Sequence, residues 1–168
     1  MFQDEAAFRL EPTLFQTWSR VGHQPQIWSL GQKKTQHVFG TVRIPDGHFI
    51  YRFTEVCNHQ TFRSFLGVLM GAYYPQRIFL ILDNARFHKE PTIIAFCKEN
   101  HHRISLWFLP PYSPDLNATE PIWGYTRREA THNRFFLHKE ELISTVKKTF
   151  RDIQYYPEKI QNYIFPYI

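Results

Sequence analysis

The apolar run Ile78-Phe79-Leu80-Ile81-Leu82, introduced by Arg77 and closed by Asp83, constrains this chain more than any other stretch. Continuous aliphatic and aromatic residues over this length predict a strand over 77–83 buried on both faces, the kind that parallel sheets contain. A carboxylate at the end of such a strand sits at the carboxyl edge of the sheet, where open α/β sheets bind their ligands. Asn84, Arg86 and His88 follow and add polar side chains at the same edge. Asp83 also has a plainer reading, as a turn residue closing the strand, because Asp-Asn favours turns.

The rest of the chain supplies the layers such a strand needs. Residues 2–10 form a short strand candidate carrying Asp4, and residues 11–32, with Pro12, Gly22, Pro25 and Gly31, read as turns and short extended pieces. Strands over 36–44 and 48–54 are joined by Pro45-Asp46-Gly47 into a hairpin. Asn58 caps a helix running to Tyr73, whose apolar stripe is Phe62, Phe65, Leu66, Leu69 and Met70. After the 77–83 strand come a helix over 91–100 with Pro91 in its first turn and a buried strand over 104–109 closed by Pro110-Pro111. A loop over 112–116 leads to a helix starting near Asn117. A C-terminal helix over 140–152 carries the stripe Leu142, Ile143, Val146, Phe150 and Ile153; Pro157 ends it, and a short segment with Ile160, Tyr163 and Ile164 follows. Antiparallel strands first and strand–helix–strand units after them predict an α/β fold, a mixed sheet with helices on both faces. Asp4 is expected on a central strand beside the one that ends at Asp83.

A length of 168 residues supports a single domain with a real core. No apolar stretch approaches the roughly 18 residues that span a membrane, and the N-terminus lacks the regions of a signal peptide. Cys57 and Cys97 stand alone, without a Cys-x-x-Cys pair, which argues against a disulfide framework or a zinc ribbon and for reduced thiols in a cytoplasmic protein. A net charge of +5 with His neutral, and a pI of about 9.3, favour nucleic acid or an anionic surface as partner.

Two more acids can be placed near Asp83, and each has a rival reading. Asp4 competes with Glu5, which points to the opposite face of the same strand, and with a solvated position on a frayed end. Glu120 has capping-box spacing from Asn117, so it is either the acid at the third position of a helix or an outward-facing ligand, roles that conflict only in part. Three carboxylates at one sheet edge of a basic protein suggest a metal site for nucleic-acid chemistry. His88 either contacts a phosphate or caps and packs, and His101-His102 reads as solvated surface. Trp18, Trp28 and Trp123 could stack bases, whereas Trp107, inside a strand, is expected to pack. Arg127, seven residues after Glu120, shares its helix face and could meet a phosphate; Arg128 is expected in solvent.

Together these pieces resemble the catalytic domain of the DDE transposases, in the bacterial insertion-sequence branch related to the mariner elements. Asp4-Glu5 matches the first acidic motif, and Thr17-Trp18, Gly22 and Pro25 match the pattern after it. Leu80-Ile81-Leu82-Asp83-Asn84-Ala85 with His88 matches the second motif. Phe108-Leu109-Pro110-Pro111-Tyr112-Ser113-Pro114-Asp115-Leu116-Asn117, leading to Glu120 and Trp123, matches the third. The 36 residues between Asp83 and Glu120 are close to the spacing this branch uses.

The resemblance implies a ribonuclease-H-like five-stranded sheet and metal-dependent DNA cleavage and strand transfer. Asp4, Asp83 and Glu120 would be the catalytic metal ligands for two Mg²⁺ or Mn²⁺ ions. Two ions about 3.5–4 Å apart activate the attacking oxygen and stabilise the leaving one. Asn84, Arg86, His88, Arg127 and Arg128 would lie along the DNA. The implied partners are double-stranded DNA, as transposon ends and a TA target, a homodimer, and an upstream helix-turn-helix polypeptide. Full transposases of this branch carry helix-turn-helix modules before the first acidic strand, and only three residues precede Asp4 here. The chain is therefore expected to be the second half of a split reading frame, a truncated remnant or an isolated fragment. Ala118 and Thr119 stand where the branch has Pro and an aliphatic residue, and Pro121 follows the acid directly, so the helix start can shift. The rival functions are another ribonuclease-H-like nuclease, such as a resolvase or a hybrid-cleaving enzyme, and a non-catalytic remnant that binds DNA or dimerises.

Overall fold

The computed structural model describes residues 1–44, 46–164 and 166. Strand β1 (Phe2–Arg9) buries Asp4, Ala6 and Phe8 and leaves Ala7 and Arg9 outside, the period-two alternation of a strand. Strands β2 (Thr35–Val42) and β3 (Phe49–Thr54) form the expected hairpin, antiparallel to each other and to β1. Gly47 takes a φ of 72° in the connecting turn, which an Arg43–Asp46 ion pair braces. Pro45, the first residue of the anticipated turn, lies outside the described residues. Helix α1 (His59–Ala72) starts at a reciprocal cap: Asn58 Oδ1 accepts from the Thr61 N–H at 2.9 Å, and Thr61 Oγ1 accepts from the Asn58 N–H at 3.1 Å.

Strand β4 (Ile78–Leu82), helix α2 (Pro91–Glu99) and strand β5 (Ile104–Phe108) form a strand–helix–strand unit whose strands run parallel to each other and to β1. The sheet order is β3-β2-β1-β4-β5, so β1 is central and its neighbour is the strand that ends at Asp83. The chain then forms α3 (Glu120–Thr126), which widens into a π-helical turn at Arg127–Thr131, then α4 (Lys139–Tyr155) and α5 (Glu158–Ile164). Helices α1 and α2 pack on one face over Phe39, Ile78, Leu80, Leu82 and Ile104. Helices α3 to α5 pack on the other over Ala6, Phe8, Val38, Val42 and Phe49.

Two expectations change, and one segment gains a structure. Strands β4 and β5 each leave one face largely uncovered: Phe79 is 49% exposed and Trp107, expected to pack, 59%. The register Phe79↔Ser105 and Ile81↔Trp107 puts these residues on the face where the C-terminal helices cover only β1 to β3. The helix expected near Asn117 starts at Glu120, with Pro121 in its first turn. Proline lacks an N–H and is best tolerated where helical N–H groups are unpaired anyway, so it sets the start and moves Glu120 from the third position to the first. The segment after Pro157 is helical, burying Ile160 and Ile164 one turn apart.

Candidate active site

Strand pairing brings the first two acids together. Phe2 faces Ile81 across β1 and β4, and two residues further along these parallel strands stand Asp4 and Asp83. The third, Glu120, opens α3. All three line one cavity of about 470 Å³ at the carboxyl end of β4, beside the first half of β1, with Leu109, Pro110, Pro111, Tyr112 and Pro114 also in its wall. Asn84, one of the residues expected along the DNA, also lines it; its side-chain N–H donates to the Leu109 carbonyl, tying the end of β4 to the end of β5.

Asp4 is nearly buried, and the residues around it explain how. Its cross-strand partner is Gly40. A Cβ at Gly40 would lie 2.3 Å from Cη2 of Trp123, so the missing side chain makes room for the indole ring. Trp123 fills that space fully buried, with Phe8, Phe49 and Phe150 around it at centroid distances of 6.4, 5.9 and 6.1 Å. Its Nε1–H then donates to Asp4 Oδ2 at 3.0 Å. Trp123 therefore holds the carboxylate and is closed to stacking on a base. Burial raises the Asp4 pKa to about 7, the charges of Glu120 and Glu5 add to the rise, and the hydrogen bonds from the Glu5 backbone and Trp123 oppose it. An acid so placed holds its proton far more tightly than a solvated one, and a cation in the cavity would oppose that.

Glu5 points to the opposite side of β1, as alternation requires. Its Oε1 accepts from Gln3 Nε2 at 2.7 Å and lies 3.1 Å from His88 Nε2. The other ring nitrogen of His88, Nδ1, lies 3.2 Å from Asp83 Oδ1. Burial of the ring opposes its charge, but the hydrogen bonds to Asp83 and Glu5 overcome this and raise the His88 pKa to about 9. The same hydrogen bond from His88 holds the Asp83 carboxyl below its ordinary value against partial burial. Repulsion from neighbouring carboxylates thus acts on Asp4, while the contacts of Asp83 favour its charged form.

Glu5, Asp83 and His88 bring ligand atoms within 4.8 Å of one another, a spacing that could hold a metal ion. Both ring nitrogens face carboxylate oxygens, so the imidazole is doubly protonated and has no lone pair to offer. His88 is 1% exposed, out of reach of the phosphate expected there. The donor set of the cavity itself suits a hard cation better: three carboxylates, one of them disfavoured as a bare anion by burial.

The cations expected along the DNA differ in freedom, and none of them lines the cavity. Arg86 is exposed. Arg127 is half-buried with its guanidinium 5.9 Å over the Phe8 ring, and Arg128, exposed as expected, donates to the Tyr163 hydroxyl at 3.0 Å. Trp18 is fully exposed and Trp28 84% exposed, both in the segment between β1 and β2. His101 and His102 are at the surface. Cys57 and Cys97 are free, and burial pushes their thiols up to about 12 and about 11. No helix among the described residues is long and apolar enough to cross a membrane.

A mixed sheet of this order, with Asp4 on its central strand and Asp83 at the end of the neighbouring one, is a ribonuclease-H-like fold. The sequence model of the DDE superfamily endonucleases matches residues 1–143, and the chain belongs to that family. An uncharacterised protein of Sinorhizobium fredii (strain NBRC 101917 / NGR234), y4pE/y4sA, is 31% identical over 83 residues, 49% of this chain and 58% of that one. The fold is that of the Mos1 mariner paired end complex with Mn (TM-score 0.67, 17% identity, 99% of this chain and 52% of that chain). It is likewise that of the Mos1 transposase paired-end complex with left transposon end (TM-score 0.63, 15% identity, 98% and 54%). The chain thus spans about half the length of these solved transposases.

Proposed function

We propose that this chain is the catalytic domain of a DNA transposase, performing divalent-metal-dependent strand cleavage followed by strand transfer. The observation that carries the reading is the shared cavity of Asp4, Asp83 and Glu120, three acids from separate elements, in a chain of the DDE family. The three carboxylates would hold two Mg²⁺ or Mn²⁺ ions; when bound, such ions make a water or a DNA 3′-hydroxyl nucleophilic and stabilise the departing oxygen.

The chain's own residues position and compensate. Trp123 fixes one oxygen of Asp4, and bound cations would favour the ionised form of that carboxyl. The Asn84–Leu109 hydrogen bond holds the strand ends at a constant separation and keeps the proline-rich wall beside the acids. Arg86, Arg127 and Arg128 supply positive charge for the DNA backbone. Both steps are in-line displacements at phosphorus, so holding the reacting groups in place is the protein's main contribution. Double-stranded DNA, as element ends and a TA target, is the substrate. Dimerisation and an upstream helix-turn-helix polypeptide belong to the same reading.

The test uses a supercoiled plasmid and a labelled oligonucleotide with a recessed 3′-hydroxyl, in Mg²⁺ or Mn²⁺. Wild type nicks the plasmid and joins the oligonucleotide to it, while Asp4→Asn, Asp83→Asn and Glu120→Gln do neither. Nicking without joining assigns a simple nuclease. Equal products from wild type and the three variants refute the site. Calorimetry with Mn²⁺ separates an active domain from a remnant: two ions per chain, lost in Asp83→Asn, against no carboxylate-dependent heat.

A further inference from the structure

The Glu5–His88 pair lies behind the cavity wall and takes no part in the reaction just described. Its geometry is that of a brace. The His88 ring is sealed between Phe62 and Phe87, at centroid distances of 4.4 and 4.3 Å. One nitrogen is anchored to Glu5 on β1, and Glu5 is itself held by Gln3. The other nitrogen reaches Oδ1 of Asp83, the same oxygen that accepts from the Ala85 N–H at 2.9 Å. Asp83 follows the last residue of β4 and its side chain is 53% exposed, a position where a carboxylate otherwise turns freely. Two donors on one oxygen remove that freedom and dedicate the other, Oδ2, to whatever binds in the cavity.

We propose that Glu5 and His88 are positioning residues that pre-orient Asp83 for cation binding, coupling its aim to β1 and α1. The proposal rests on the metal-dependent reading above. Hydrogen-bonding partners behind a metal ligand typically change metal affinity or activity by about 10- to 100-fold when removed.

Two pairs of variants isolate the effect. His88→Asn keeps a donor where Nδ1 stands, toward Asp83; His88→Gln moves it to the Nε2 position, toward Glu5. Both lose the ring and the charge, so a purely structural role moves them alike. The readouts are calorimetric Mn²⁺ affinity and the Mn²⁺ concentration giving half-maximal nicking. His88→Gln is expected to weaken both about 10- to 100-fold and His88→Asn about threefold or less, with the rate at saturating Mn²⁺ recovered. Should the histidine variants not fold, Glu5→Gln keeps an acceptor for the ring and Glu5→Ala does not. Both lose the same charge, and Glu5→Ala is expected to need about 10-fold more Mn²⁺ than Glu5→Gln. Equal shifts within each pair, in folded proteins whose Mn²⁺ binding is still abolished by Asp83→Asn, overturn the positioning role alone. Wild-type Mn²⁺ binding that survives Asp83→Asn overturns the metal reading itself.

Discussion

Two acids of the same cavity should respond to neutralisation with opposite signs. Asp4 carries a pKa of about 7 against an ordinary 3.8, with burial as the largest cause. The gap of about 3 units is worth about 4 kcal/mol at 1.36 kcal/mol per unit, and water entry and local relaxation return part of it. Because the folded-state pKa lies above the unfolded one, the folded protein binds the extra proton. The contribution of Asp4 to stability is most favourable below about pH 4, falls as pH rises toward 7, and is level above that. Asp4→Asn removes the charge while keeping an oxygen for the Trp123 N–H. In EDTA at pH 8 the variant is expected to be more stable than wild type by about 1–4 kcal/mol, a rise in Tm of several degrees for a chain of this size. At pH 4 the difference shrinks toward zero. Asp83→Asn goes the other way: it loses a charged partner of a buried imidazole and costs about 0.5–1.5 kcal/mol, the low end because Asp83 is half-exposed.

Urea denaturation of the three proteins in EDTA, at pH 4, 6 and 8, measures both signs. Repeating it with Mn²⁺ at about 1,000-fold over Kd cancels or inverts the order of wild type and Asp4→Asn, since only wild type gains RT ln(1 + [L]/Kd), about 4.1 kcal/mol there. An Asp4→Asn protein no more stable than wild type at pH 8, or more stable by an amount independent of pH, would falsify the assignment of Asp4 as the strained member of the cluster.

Further outcomes follow from neighbouring residues. Gly40→Ala drives a Cβ to within 2.3 Å of Trp123; it is expected to cost about 3 kcal/mol and raise the Mn²⁺ requirement, because the indole moves off Asp4. Unchanged stability and Mn²⁺ titration of Gly40→Ala would show that the ring shifts without carrying Asp4. Arg86→Ala is expected to weaken DNA binding regardless of sequence and lower the slope of log affinity against log salt by about 0.9; a slope equal to wild type removes Arg86 from the DNA path.

What could be read from the chain and what could not divide along physical lines. The strands were legible because period-two alternation and buried runs are local signals, and Asp83 was legible because it ends one of them. Coverage was not local: nothing in Ile78–Leu82 says that the C-terminal helices stop short of β4, so Phe79 and Trp107 turned out half-exposed. Glu120 was misplaced within its helix because capping-box spacing from Asn117 competed with the demand of Pro121 for the first turn, and the proline won.

The choice between Asp4 and Glu5 shows where local reasoning ends. Alternation says that they face opposite sides of β1 and is silent on which side holds the cavity. That is decided by Gly40, 36 residues away in sequence, and by Trp123, whose ring uses the vacancy at Gly40 to reach Asp4. The same alternation gives Glu5 its place: on the other side of the strand it meets His88, which in turn grips Asp83. The adjacent acids Asp4 and Glu5 thus stand on the two sides of one site, one lining its cavity and the other bracing its opposite ligand from behind. A single sequence shows the pair; only the packing of both faces of β1 separates their roles.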